Sequence, residues 1–178
     1  AGATWTPLGL GDKNVPSLVI DPFTPQILYA GTLGGVFKST NTCQNWRPAG
    51  LTGYNVYALA IDPSSPDTIY AGTLKGVFKS TNGGENWAPI NTGLASKKIL
   101  ALQLDSSNPH ILYAGTLGGV FKSTNGGENW RPVNTGLTRK GVQAFAGDPS
   151  DPQTLYAGTV GGISRTTDGG ATWTEINT

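Results

Sequence analysis

Short apolar runs alternate with clusters of Gly, Pro, Asn, Asp and Ser along the whole chain, and no segment has the run of good helix formers that a long helix needs. One stretch shows the pattern well. Val56 to Ile61 reads as a first strand (A), Thr68 to Thr73 as a second (B), Gly76 to Thr81 as a third (C) and Asn86 to Asn91 as a fourth (D). Asp62-Pro63-Ser64-Ser65-Pro66-Asp67 joins A to B, because two prolines and polar turn formers cannot continue a sheet ladder. Four short antiparallel strands follow. Tyr70-Ala71-Gly72-Thr73 puts small residues in the middle of strand B, which would weaken an isolated strand but lets a neighbouring sheet come close.

This unit recurs four times. LYAGTLGGVFKSTNTCQNW starts at Leu28, IYAGTLKGVFKSTNGGENW at Ile69, LYAGTLGGVFKSTNGGENW at Leu112 and LYAGTVGGISRTTDGGATW at Leu155. Tyr29, Tyr70, Tyr113 and Tyr156 are spaced by 41 to 43 residues, and Trp46, Trp87, Trp130 and Trp173 keep the same spacing. A period of roughly 40 to 45 residues built from strands belongs to propeller blades rather than helical solenoids. The predicted fold is an all-β propeller of four-stranded antiparallel blades, with residues 11–51, 52–94, 95–137 and 138–178 as blades one to four and 1–10 as a surplus outer strand.

The turn from C to D is the most specific signal. In Ser80-Thr81-Asn82-Gly83-Gly84-Glu85-Asn86-Trp87 the Asn side chain can accept from amides of its own turn, and the glycines tolerate positive φ. Trp87 then offers a large apolar surface to bury at the start of strand D. These residues resemble the Asp box, or bacterial neuraminidase repeat, of form Ser/Thr-x-Asp-x-Gly-x-Thr-Trp. The matching positions are Asn41 and Trp46; Asn82, Gly84 and Trp87; Asn125, Gly127 and Trp130; and Asp168, Gly170 and Trp173. Only Asp168 keeps the acid, and Cys43 replaces a glycine, so the first hairpin is the least regular. With the AIDPxxPxxIYAGT and GVFKST segments, the chain is similar to propellers of the xyloglucanase, sortilin, photosystem-assembly and sialidase-like groups. The resemblance implies a secreted or cell-surface protein and rings of six to ten blades.

Gly2-Ala3-Thr4-Trp5-Thr6 copies Gly170-Ala171-Thr172-Trp173-Thr174, so the chain both opens and closes with a D strand. The expectation is that two chains complete an eight-bladed ring. Further blades of a longer chain, or closure by four blades alone, are the alternatives.

Composition narrows the function. Charged residues are 13% and the formal net charge is +1, which gives no global attraction to nucleic acid. No apolar stretch implies membrane insertion. The lone Cys43 has no internal disulfide partner, and His110 sits in a loop without a second His nearby in sequence. The recurring Asp-Pro loops offer hard oxygen ligands, but recurrence in every blade reads as turn formation, so neither metal nor cofactor is expected.

Propeller geometry sorts the charges onto two ends. Asp21, Asp62, Asp67, Asp105, Asp148 and Asp151 in the A-to-B loops, with Glu85, Glu128 and Asp168 in the C-to-D turns, share one end. The D-to-A loops and B-to-C turns share the other, where Asp12 is the single acid and Lys13, Tyr54, Lys75, Lys97, Lys98, Arg139 and Lys140 are the candidate binding residues. A glycosidase needs two placed carboxylates. Where the resemblance implies a catalytic Asp after strand B, this chain has Leu33, Leu74, Leu117 and Val160, and no arginine triad or Tyr/Glu pair is recognisable. The reading is a non-catalytic recognition or scaffold module for an anionic glycan or a protein partner, with the basic end docking on the acidic end of another ring as a further option. A fragment of a sialidase-like or xyloglucanase-like hydrolase is the alternative.

Overall fold

The computed structural model describes residues 6–176; the Gly2-Ala3-Thr4-Trp5 part of the repeated D-strand sequence lies outside them. The described residues form sixteen strands in four sheets. Blade one contains β1 (Ser17–Ile20), β2 (Leu28–Thr32), β3 (Gly35–Ser39) and β4 (Arg47–Pro48). Blade two contains β5 (Val56–Ile61), β6 (Ile69–Thr73), β7 (Gly76–Ser80) and β8 (Ala88–Pro89). Blade three contains β9 (Ile99–Leu104), β10 (Leu112–Thr116), β11 (Gly119–Ser123) and β12 (Arg131–Pro132). Blade four contains β13 (Val142–Gly147), β14 (Leu155–Thr159), β15 (Gly162–Thr166) and β16 (Thr174–Glu175). Every sheet is antiparallel and pairs its strands in chain order.

The first strands of successive blades pack on one another, β1 with β5, β5 with β9 and β9 with β13. Three apolar clusters lie between sheets rather than within one. Tyr29 and Val36 of blade one meet Val56, Leu59 and Ala71 of blade two, and Tyr113 and Val120 of blade three meet Val142, Leu155 and Ala157 of blade four. The mid-strand glycines make this possible. A β-carbon built on Gly31 would stand 2.8 Å from Val56 Cγ1, one on Gly72 2.6 Å from Ile99 Cγ2, and one on Gly115 2.8 Å from Val142 Cγ1. Each junction thus seats a β-branched residue of one blade in the glycine gap of the blade before it.

Strand D departs from expectation. Only two residues pair, and Trp87 precedes them. Pro48, Pro89 and Pro132 lack the N–H that would extend the ladder, although Ile90 N still donates to Val77 O at 3.0 Å. The indoles cross to the preceding blade instead. Trp87 Nε1 donates to Ala49 O (2.8 Å), Trp130 Nε1 to Ile90 O (2.8 Å) and Trp173 Nε1 to Val133 O (2.9 Å). Trp130 and Trp173 are buried, so each tryptophan acts as a clamp between blades.

The C-to-D hairpins carry the anticipated turn chemistry. Ser80 Oγ accepts from Gly84 N at 3.0 Å and Asn82 Oδ1 from Asn86 N at 2.9 Å, and blades one, three and four repeat both bonds. Gly83 and Gly84 take φ of 64° and 88°. In the first hairpin Thr42 and Cys43 adopt 55° and 64°, which glycine accepts freely and side chains do not.

Gly72→Val should lower stability by about 1–3 kcal/mol, because its methyls would overlap Ile99 and force the second and third blades apart. Urea unfolding followed by tryptophan fluorescence measures this, and a midpoint equal to that of the parent chain would contradict it.

Candidate functional site

Backbone hydrogen bonds define the two ends of the blades. Gly53 N donates to Gly34 O (3.1 Å) and Val160 N to Gly141 O (3.0 Å), tying D-to-A loops to B-to-C turns at what we call the upper end. Gly83 N donates to Asp67 O (2.9 Å), Gly126 N to His110 O (2.8 Å) and Gly169 N to Gln153 O (2.9 Å), tying A-to-B loops to C-to-D turns at the lower end.

At the lower end the acids shape turns. Asp62 Oδ1 accepts from Ser64 N (2.8 Å) and Ser64 Oγ (2.7 Å), and Asp105 and Asp148 hold Ser107 and Ser150 in the same way. Among the described residues no group of three or more His, Cys, Asp or Glu side chains is arranged to hold a metal ion. This end is less acidic than loop positions alone suggest. Lys38, Lys79 and Lys122 reach from the C strands into the next blade's turn, where their ammonium groups donate to Gly83 O (3.2 Å), Gly126 O (3.5 Å) and Gly169 O (2.7 Å). Each also lies over a strand-B ring, Tyr29, Tyr70 or Tyr113, at 5.0 to 5.4 Å. Burial lowers the Lys122 pKa, helped by Arg131, while Asp105 and Asp168 oppose the shift. Burial also pushes the Tyr70 and Tyr113 hydroxyls up to about 12, with Asp62 adding to the first shift and Asp105 and Asp168 to the second.

The upper end divides the candidate binding residues into two groups. On blades one and two they rest on rings. Lys13 lies 5.3 Å from the Phe37 centroid and pairs with Asp12 at 3.0 Å, and Lys75 lies 5.0 Å from the Tyr54 ring, which meets Phe78 edge-on at 5.1 Å. On blades three and four Lys97, Lys98, Arg139 and Lys140 are exposed. The Arg139 side chain lies over Gly161, where an added β-carbon would be 2.8 Å from its Cγ and Cδ.

Between these cations, Leu33, Leu74, Leu117 and Val160 are all exposed, one at the tip of each B-to-C turn. In the sequence they stand out only as positions lacking a carboxylate, whereas the structure shows them as exposed aliphatic tips. Their signal was present, since an aliphatic recurs in every repeat at a turn position that polar residues usually fill. A hollow of about 250 Å³ beside the first of them is lined by Asp12, Lys13, Asn14, Thr32, Leu33, Gly34 and Phe37. The upper end therefore offers apolar tips flanked by positive charge, a combination suited to the apolar faces and acidic substituents of a sugar chain.

Comparison with known proteins agrees on the fold. An ancestral GH74 enzyme has a TM-score of 0.79 and 27% identity, covering 100% of this chain and 26% of its own. The GH74 xyloglucanase from Xanthomonas campestris has a TM-score of 0.76 and 18% identity, covering 92% of this chain and 30% of its own. The extracellular domain of a putative hybrid two-component system from B. thetaiotaomicron has a TM-score of 0.72 and 15% identity, covering 92% of this chain and 24% of its own. This chain thus spans about a quarter to a third of those proteins. No protein-family model matches it, and no curated protein does. Among the described residues no helix is long and apolar enough to cross a membrane.

Asp168 gives the fourth hairpin a pH dependence that the Asn-based hairpins lack. Thr172 Oγ1 and N and Thr166 Oγ1 donate to its carboxylate and hold its pKa at about 2. A carboxyl depressed from 3.8 contributes stability above that value and loses it as pH falls through about 2. Asp168→Asn should therefore flatten the fall in Tm between pH 4 and pH 2. A fall as steep as in the parent chain, measured by circular dichroism, would assign the acid sensitivity to other groups.

Proposed function

We propose that this chain is a non-catalytic recognition module of Asp-box type that binds an anionic glycan through the upper end of its blades, outside the cell. The supporting observation is the alternation there of exposed aliphatic tips, Leu33, Leu74, Leu117 and Val160, with Lys13, Lys75, Lys97, Lys98, Arg139 and Lys140. Aliphatic tips pack on sugar-ring faces, and the cations select carboxylate- or sulfate-bearing chains in a salt-dependent way. The single acid in these loops, Asp12, is paired with Lys13, and that pairing is the main cause of its lowered pKa. A carboxyl kept ionised beside a lysine is a poor general acid. The extracellular setting is supported by the resemblance of the repeats and by the extracellular domain among the structural neighbours.

A second reading is favoured by the 27% identity to a GH74 enzyme: the four blades would be part of a glycoside-hydrolase propeller whose carboxylates lie in other blades. Two assays separate the readings. The recognition reading expects immobilised heparin to retain the chain, and the combined Lys97→Glu, Lys98→Glu, Arg139→Glu, Lys140→Glu variant to lose retention with an unchanged Tm. Equal retention of the variant, or none of the parent chain on heparin or polygalacturonate, would overturn it. Release of reducing ends from xyloglucan by the chain alone would favour the hydrolase reading.

A further inference from the structure

The four blades form an open arc, and its two open faces are the halves of the junction that recurs inside it. Leu59 of blade two is 6% exposed against blade one, whereas its counterpart Leu18 in β1 is 54% exposed. Ile20, the counterpart of Ile61, is 51% exposed, and Val15 precedes β1 as Val56 begins β5. Val56, Ile99 and Val142, which fill the glycine gaps, are wholly buried, while Val15 is exposed.

Blade four carries the complementary half. A β-carbon on Gly158 would meet only Ala144, at 3.6 Å, within its own blade, whereas Gly31, Gly72 and Gly115 face a residue of the next blade at 2.6 to 2.8 Å. Ile163, the counterpart of the buried Val36, Val77 and Val120, is 48% exposed. Tyr156 and Arg165 stand where Tyr29 and Lys38 donate across a junction to Gly83 O. One end of the arc therefore has a set of knobs without holes, and the other has the holes.

The segment before β1 shows how far this repetition extends. Trp46 Nε1 donates to Leu8 O at 2.9 Å, as Trp87 Nε1 donates to Ala49 O. Gly9 and Leu10 have φ of 84° and 53°, and Gly50 and Leu51 have 87° and 51°. Lys13 N donates to Leu10 O at 3.0 Å, as Tyr54 N does to Leu51 O. Leu8 to Lys13 thus sits on blade one as the end of strand D and its following loop sit when they come from a preceding blade. Among the described residues that blade is represented by this outer segment alone.

We propose that a second copy of this chain supplies the other three strands of that blade, so that two chains join head to tail through two identical junctions into a closed eight-bladed ring. Blade four of each copy receives Val15, Leu18 and Ile20 of the other, with Val15 entering the Gly158 gap. The outer-strand place at each junction is filled once. Residues 6–9, of which Leu8 and Gly9 already lie on Trp46, pair along β15 of the incoming blade as Arg47 to Gly50 pair along β3, and the two-residue β16 with the following Ile176 is released. Continuity with the three internal junctions commits the surface to a blade of this same repeat, and a head-to-tail interface that closes gives a ring rather than a filament. Thr42 brings a β-carbon where a glycine stands in blades two to four, and the same addition at Gly83 would leave 3.0 Å to Lys38 Nζ and 3.3 Å to Tyr29 Oη. Tyr156 and the long, flexible Arg165 shift by a few tenths of an ångström to admit it.

Light scattering after size exclusion tests this on the chain as it stands. The expected mass is twice 18.5 kDa, with a Tm that rises with protein concentration. Gly158→Val fills the gap without touching another blade and should weaken association by about 100-fold or more, leaving a folded monomer. Leu18→Asp, on the opposite face, should do the same and answers for a Gly158 variant that does not fold. Ile176→Asp should leave the dimer intact, because β16 is released. A monomeric parent chain, a larger assembly, or dimers that survive both Gly158→Val and Leu18→Asp would overturn the proposal, and loss of the dimer in Ile176→Asp would overturn the exchange of outer strands.

Discussion

The packing of a β-branched side chain into the glycine gap of the blade before it is the constraint on which the rest of this structure depends. A four-stranded sheet of this size has too little apolar surface to stand alone in water. Its strand B is buried along its whole length in blades one to three because a second sheet covers it. That cover comes close only where Gly31, Gly72 and Gly115 lack a β-carbon. The Tyr-Ala-Gly-Thr segment, the tryptophan clamps and the Lys–Tyr pairs all serve the same junction, so the junction, rather than the blade, is the cooperative unit.

This accounts for what was legible in the sequence. The period and the turn residues reported the architecture, since each hairpin needs positive φ at Gly83 and Gly84 or their counterparts and a side-chain oxygen two residues after Ser80. The small residues of strand B announced close approach. Strand D is shorter than the pattern suggests because Trp87 resembles the start of a buried strand, while its indole N–H is shared between Gly84 O of its own turn and Ala49 O, 38 residues earlier in the chain. A local pattern cannot report a partner one blade away. The lower end is less acidic than its loops suggest for a related reason: Lys38, Lys79 and Lys122 are strand residues by position, yet their charged heads finish in the next blade's turn.

The candidate site was half legible. Lysines and arginine in the D-to-A loops stood out by charge, and the hydrogen bonds between those loops and the B-to-C turns place both loop sets at one end. What charge could not convey is that Lys13 and Lys75, though exposed, lie over the Phe37 and Tyr54 rings, that Tyr54 meets Phe78, and that Arg139 lies along Gly161. Anchored side chains lose less conformational entropy on meeting a ligand.

Apart from Lys75 at the upper end of blade two, the departures from the repeat gather in the two terminal blades. Thr42 and Cys43 replace glycines in blade one, Arg165 replaces lysine in blade four, and Gly158 keeps its glycine although no neighbouring blade fills the gap. In internal blades these positions are constrained from both sides, and there the letters hardly vary. The variants therefore collect on the two faces where the internal constraint is absent. Gly158 is the informative exception. Glycine weakens a strand unless something must come close, and valine would suit the position better in an isolated blade. A glycine retained at that point, opposite an exposed Val15, Leu18 and Ile20 at the other end of the arc, is what a fourth junction of the same kind requires.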